Sequence, residues 1–248
     1  MSSVQINPLT PVVKKLVIAI AAVWFLVQIV LERLLHVNVS TLFILHPDQV
    51  IEKFYAWQLV TYLFFHALSP FHILFNLLML WMFGSELEKH WGAKFFATYF
   101  FVTGIGAAII YCVAVGLYAV ITGSQAAMVI PVMGASGALF GLLVAYGIVF
   151  SERTMYFMGL FPMKAKYFAM IAAGLDLSSL LTTGVAGSEV AYLAHLGGAL
   201  VGFIFLLLHA RWKLRQTKAK LKKKTSNLRL VVDNEKLNKK DDGPKYWN

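Results

Sequence analysis

The stretch Gly134-Ala135-Ser136-Gly137-Ala138-Leu139-Phe140-Gly141-Leu142-Leu143-Val144-Ala145-Tyr146-Gly147-Ile148-Val149-Phe150 holds no charged residue and places a serine near its start. A hydrocarbon core of about 30 Å is crossed by roughly 17 to 25 apolar helical residues at about 1.5 Å each. A second such run, Val190–His209, contains His195. Nucleophilic or ionisable groups at membrane depth are costly unless they are paired, face a cavity or act on something. A serine and a histidine so placed point toward peptide-bond hydrolysis within the membrane.

The rest of the chain agrees with that setting. Of its 248 residues 59% are hydrophobic and only 14% charged, which excludes an ordinary soluble domain. Six runs have spanning length: Val12–Leu31, Phe71–Leu87, Phe95–Val115, Gly134–Phe150, Tyr167–Thr183 and Val190–His209. The expected fold class is therefore all-α, a polytopic membrane protein with six transmembrane helices. Residues 1–11 form an N-terminal segment, 12–210 the six-span domain and 211–248 a basic tail. The first run follows Lys14-Lys15 as a secretory signal would, but no small-residue cleavage site comes after it, so it reads as a spanning helix.

Lys14, Lys15, Lys89, Lys94, Arg153, Lys164, Lys166 and the tail fall on one side of the spans, against only Arg33 and Lys53 on the other. The positive-inside tendency then makes both termini cytoplasmic. The chain is expected in a cell membrane, a bacterial plasma or inner membrane. From Arg211 onward lie thirteen of the 22 Lys and Arg residues against four acids. A basic segment directly after a cytoplasmic helix end is read as contacting anionic lipid headgroups, not nucleic acid. Cys112, alone in the third span, permits no intramolecular disulfide. The outer segment from Glu32 to Pro70 is rich in aromatic residues and is expected to lie in the membrane interface.

Three polar residues converge in depth. Ser136 is sixteen residues from Glu152, His195 sixteen from Arg211 and His72 sixteen from Glu88. Each therefore lies about 24 Å above the inner boundary. Ser136 follows Gly134 and sits in the first turn of a helix, whose unpaired N–H groups suit an oxyanion. Taken alone, it reads as an N-cap, a common job for serine. An imidazole at the same depth shifts that balance, because it can accept the serine proton and return it to a leaving amine. His72 and Asn76 share one helical face and can both donate to a single point, or each can join two helices. Phe140, one turn below Ser136, can stack on His195. Gly137 and Gly141, like Gly198 and Gly202, recur at a four-residue spacing that lets two backbones approach closely. Asp176 is the only aspartate within a span, and nothing in the sequence places it near His195, so the site reads as a dyad. A His-Glu-x-x-His metal motif is lacking, and no metal or organic cofactor is expected.

These pieces resemble the rhomboid intramembrane serine proteases of the minimal six-span type. The matching residues are His72-x-x-x-Asn76, Gly134-Ala135-Ser136-Gly137, and Ala194-His195-Leu196-Gly197-Gly198 with Gly202, together with Glu88 and Gly92. The resemblance implies Ser136 as nucleophile and His195 as general base. It further implies an oxyanion hole of His72, Asn76 and the Ser136 amide, and transmembrane protein substrates cut near their outer end. The chain departs from the pattern at Gln58, where many relatives have arginine, and at His66, six instead of five residues before His72. The rival from another class is a catalytically silent rhomboid-like protein that binds and escorts transmembrane segments.

Overall fold

Pro11 opens the first helix of the computed structural model, which describes residues 8–157, 161–183 and 191–226. Proline suits that position because its missing N–H would have no intrahelical partner. Helix α1 (Pro11–Ala22) continues through wider, i to i+5 turns over Val23–Leu34. The outer segment follows, with the short helices α2 (Pro47–Glu52) and α3 (Gln58–Thr61). Helix α4 (Pro70–Met79) passes through another widened turn at Leu80–Gly84 into α5 (Ser85–Trp91). Gly92, at φ 82°, turns the chain into α6 (Ala93–Thr122), which Gly123 ends at φ 69°. Then come α7 (Ser136–Val149), the strands β1 (Thr154–Phe157) and β2 (Phe161–Lys164), α8 (Ala165–Thr183) and α9 (Ala191–Ser226).

Four helical stretches among the described residues are long and apolar enough to cross a membrane: Pro11–Leu34, Pro70–Trp91, Ala93–Thr122 and Ala191–Lys222. They carry exposed apolar side chains such as Ile18, Phe25, Leu74, Val113 and Val120. Water would penalise such faces and lipid does not. The chain is a mostly helical, multi-pass membrane protein.

Helices α6 and α7 form the centre. On α6, Phe96, Tyr99, Phe100, Ala107 and Tyr111 are fully buried. Buried tyrosines join the elements through their hydroxyls, which donate to backbone carbonyls: Tyr62 to Gly104 at 2.7 Å, Tyr99 to Gly141 at 2.8 Å and Tyr111 to Ile130 at 3.0 Å. Glu88 fastens α1 to α5. Its carboxylate accepts the Val12 N–H at 2.9 Å, the Val13 N–H at 2.9 Å and the Thr10 hydroxyl, satisfying first-turn donors that α1 cannot pair itself.

The structure adds three features to the helical fold. The fold is not purely helical, since β1 and β2 pair antiparallel with Thr154 opposite Lys164. The outer segment does more than lie in the interface. Tyr62, Leu63 and Phe65 point into the core, whereas Phe54 stays 81% exposed. Finally, α9 continues beyond the spanning run to Ser226, because the Lys, Arg, Leu, Ala and Gln that follow are all good helix formers with no Gly or Pro among them. The chain divides into two compact units, Met1–Leu206 and Leu207–Asn248, and every residue of the site below belongs to the first.

Candidate active site

Ser136 is the first residue of α7, and its helix is entered through a turn that only glycine adopts easily. Gly134 has φ 116°, a conformation that crowds any Cβ, and its N–H donates to the Tyr62 carbonyl at 2.9 Å. Ala135 takes the N-cap position, and no side chain caps the helix. The N-cap reading of Ser136 is therefore replaced: its Oγ lies 2.7 Å from His195 Nε2. The first intrahelical bond of α7 is made by the Leu139 N–H to the Ala135 carbonyl, which leaves the N–H groups of Ser136, Gly137 and Ala138 without intrahelical acceptors.

His195 is the fifth residue of α9. Its ring lies flat on Phe140, with centroids 4.4 Å apart and planes 7° from parallel. Its other nitrogen, Nδ1, stands 2.7 Å from Asp176 Oδ2. This corrects the expectation that the histidine has no acidic neighbour. Both side chains are largely buried, at 17% and 13% exposure.

The contact requires that α7 and α9 touch backbone to backbone, and the glycines allow it. A Cβ on Gly198 would fall 1.9 Å from the Gly137 carbonyl oxygen, and one on Gly202 would fall 3.0 Å from Gly141 Cα. The paired four-residue spacings read from the sequence are thus the two sides of one helix crossing.

His72 and Asn76 lie on α4 beside this point. A Cβ on Gly134 would meet His72 Cε1 at 3.5 Å and His66 Cδ2 at 3.7 Å, so both rings border the turn before Ser136. His72 Nδ1 accepts the Ala67 N–H at 3.2 Å, which assigns the ring proton to Nε2 in the neutral form and leaves that N–H as a donor. Asn76 is buried, and its amide donates to the His72 carbonyl at 2.8 Å. One of its two amide protons is thereby used within the helix.

Residues 53–212 match the family model described as Rhomboid domain, which covers more than half of the chain. The chain belongs to the rhomboid family. It is similar to RHOMBOID-like protein 1 of Arabidopsis thaliana, 30% identical over 66% of this chain and 38% of that protein. It is likewise similar to RHOMBOID-like protein 5 of the same plant (30% identical, 64% and 47% covered) and to Rhomboid-like protein 19 (29%, 68% and 52%). The chain thus spans about half the length of these relatives or less. Their plant origin lends the expected bacterial membrane no support.

Within this rhomboid domain the two departures acquire physical roles. Gln58 is fully buried and organises the outer segment. Its Oε1 accepts the His46 N–H at 3.0 Å, and its Nε2 donates to Gln49 Oε1 at 2.7 Å and to the Leu42 carbonyl at 3.4 Å. His66 is fully buried, and its Nε2 accepts the Ala135 N–H at 3.4 Å. Its backbone is gripped by Gln28 of the first span, whose Nε2 donates to the His66 carbonyl at 2.6 Å while its Oε1 accepts the His66 N–H at 3.0 Å. Burial pushes the His66 pKa down to about 4, and the neighbouring His72 adds to the shift. Asn76 and the Phe64 carbonyl lie close enough to oppose it weakly, although His66 Nδ1 reaches no partner at good hydrogen-bond geometry. The ring is therefore neutral at physiological pH, as an acceptor of a backbone N–H must be. The sequence offered Asp176 as the only aspartate within a span but did not place it at His195, and Gln28 was missed, a glutamine among the apolar residues of the first span being the signal available.

Proposed function

We propose that this rhomboid is an intramembrane serine endopeptidase that cuts transmembrane segments of other membrane proteins near their outer end. The observation that carries the reading is the 2.7 Å approach of Ser136 Oγ to His195 Nε2 at the start of a helix with free N–H groups. Ser136 attacks the scissile carbonyl as its proton passes to His195 Nε2, forming the C–O bond of a tetrahedral intermediate. The developing oxyanion is held by the Ser136 N–H and by His72 Nε2–H, with Asn76 as a third donor. Collapse breaks the C–N bond, and His195 returns the proton to the departing amine. Water, deprotonated by the same imidazole, then hydrolyses the acyl ester and frees Ser136.

Six crossings fit this role: α1, α4 with α5, α6, the shorter α7, α8 and α9. The distribution of basic residues supports cytoplasmic termini, a site opening to the outer side, and a tail that meets anionic headgroups. A helical substrate shields its own peptide bonds, so the segment unwinds locally before it is cut, and Gly or Pro below the bond speeds the reaction.

The test is cleavage of a single-span substrate by purified protein, read as fragment masses, together with labelling by a fluorophosphonate. The parent cuts and is labelled at Ser136, while Ser136→Ala and His195→Ala do neither. Labelling at another residue moves the site. A parent that binds the substrate but never cuts it favours the escort reading.

A further inference from the structure

We propose that Asp176 is a positioning residue that orients His195, so that this chain works with a Ser136–His195–Asp176 triad instead of a dyad. The inference rests on the protease reading above.

Asp176 lies on α8, between Leu175 and Leu177, which are 63% and 47% exposed, whereas its own side chain is only 13% exposed. The carboxylate is thus turned away from the apolar surface that its neighbours present, and its Oδ2 is 2.7 Å from His195 Nδ1. Among the described residues this is the hydrogen bond it makes. A carboxylate inside a membrane protein needs such a partner, because its desolvation is otherwise uncompensated.

The consequence for chemistry lies in the tautomer. An ionised carboxylate can only accept, so the proton sits on Nδ1, and the lone pair on Nε2 faces the Ser136 hydroxyl 2.7 Å away. Stacking on Phe140 fixes the plane of the ring but is indifferent to a half-turn that exchanges the two nitrogens. Asp176 removes that indifference. It also favours the imidazolium that forms as the serine proton is taken up. Because α7 carries the nucleophile, α9 the base and α8 the orienting acid, a competent site needs three separate helices in register.

The experiment uses the full-length protein in detergent, with kcat and KM for a single-span substrate and the fluorophosphonate labelling rate of Ser136. For Asp176→Asn the expected result is an unchanged KM with kcat and labelling both reduced at least about 10²-fold, toward the about 10⁴ that the same change costs in soluble triads. Asp176→Glu, which restores the charge, recovers part of the loss. If Asp176→Asn does not fold, the ¹⁵N shifts of His195 in the unaltered protein decide: a protonated Nδ1 and an unprotonated Nε2 are expected, and the reverse or an even mixture overturns the proposal. Wild-type kcat and labelling in Asp176→Asn, with Ser136→Ala and His195→Ala inactive, overturns the triad alone. Cleavage that persists in Ser136→Ala overturns the protease site and the triad with it.

Discussion

Gly198→Ala tests the geometry with the smallest possible change. The added Cβ would stand 1.9 Å from the Gly137 carbonyl oxygen and 2.6 Å from its carbon, and Cβ contacts under 3.0 Å are essentially never found. The obstacle is backbone, so no side-chain rotation relieves it, and α7 and α9 must part locally by about 1.1 Å, the difference of those two distances. Ser136 precedes Gly137 directly, and His195 lies three residues, about one turn, before Gly198. The same opening stretches their 2.7 Å contact to about 3.8 Å, outside hydrogen-bond range. A displacement of about 1 Å at reacting groups costs about 10² in rate, and overpacking destabilises by about 1 to 3 kcal/mol. Cleavage rate, fluorophosphonate labelling and thermal unfolding in detergent read both effects. Gly174→Ala is the control: nothing lies within 4 Å of its Cβ, and a helical alanine in place of glycine is neutral or stabilising. Wild-type cleavage by Gly198→Ala would refute the claim that helix contact sets the Ser136–His195 distance.

Three other outcomes are expected. His72→Ala and Asn76→Ala slow turnover by about 10² to 10³ without abolishing it, as loss of one donor among several does, and Asn76→Ala is the milder because one of its amide protons is already given to the His72 carbonyl; full activity in both would remove them from the oxyanion hole. Glu88→Gln lowers thermal stability by about 1 to 3 kcal/mol, since the charge is lost and an NH2 cannot accept the Val12 N–H that Oε1 accepts, while the folded fraction still labels at Ser136; an unshifted melting curve would refute the capping role. His66 makes stability depend on pH. Its folded pKa of about 4 lies below the ordinary 6.5, so the unfolded chain takes up a proton first as pH falls, and about 3 kcal/mol is lost between about 6.5 and 4. Melting temperature should fall less steeply with acidification in His66→Gln than in the parent, and equal slopes would contradict the assignment.

Much of the site was legible because it obeys helical arithmetic. Ser136, His195 and Phe140 could be placed by counting from charged helix ends, and the glycines at 137, 141, 198 and 202 announced the crossing that joins them. Asp176 did not yield to the same counting. It is twelve residues from Lys164, about 18 Å along a helix, which sets it about 6 Å deeper than His195, a gap closed only by the reach of two side chains. The hairpin of β1 and β2 was invisible for another reason: it is four residues a side, too short for alternation to stand out in an apolar background. Gln58 and His66 were noticed as departures, but their bonding partners lie on other elements, which local sequence does not bring together.

Helix α7 has fourteen residues and is therefore about 21 Å long, roughly 9 Å short of a typical hydrocarbon thickness. Its residues Gly137, Ala138, Leu139, Gly141, Leu142 and Leu143 are buried among other helices, and Ile148 is the large apolar side chain it exposes, so lipid tails touch little of its length. Hydrophobic mismatch then acts mainly on its neighbours. In a thicker bilayer the longer helices lose tilt, and in a thinner one they gain it, while Ser136 keeps its distance from the far end of α7. On the proposed mechanism Ser136 is carried on a strut whose length is set by its helix neighbours, and bilayer thickness would tune how far a substrate must sink or rise to meet it.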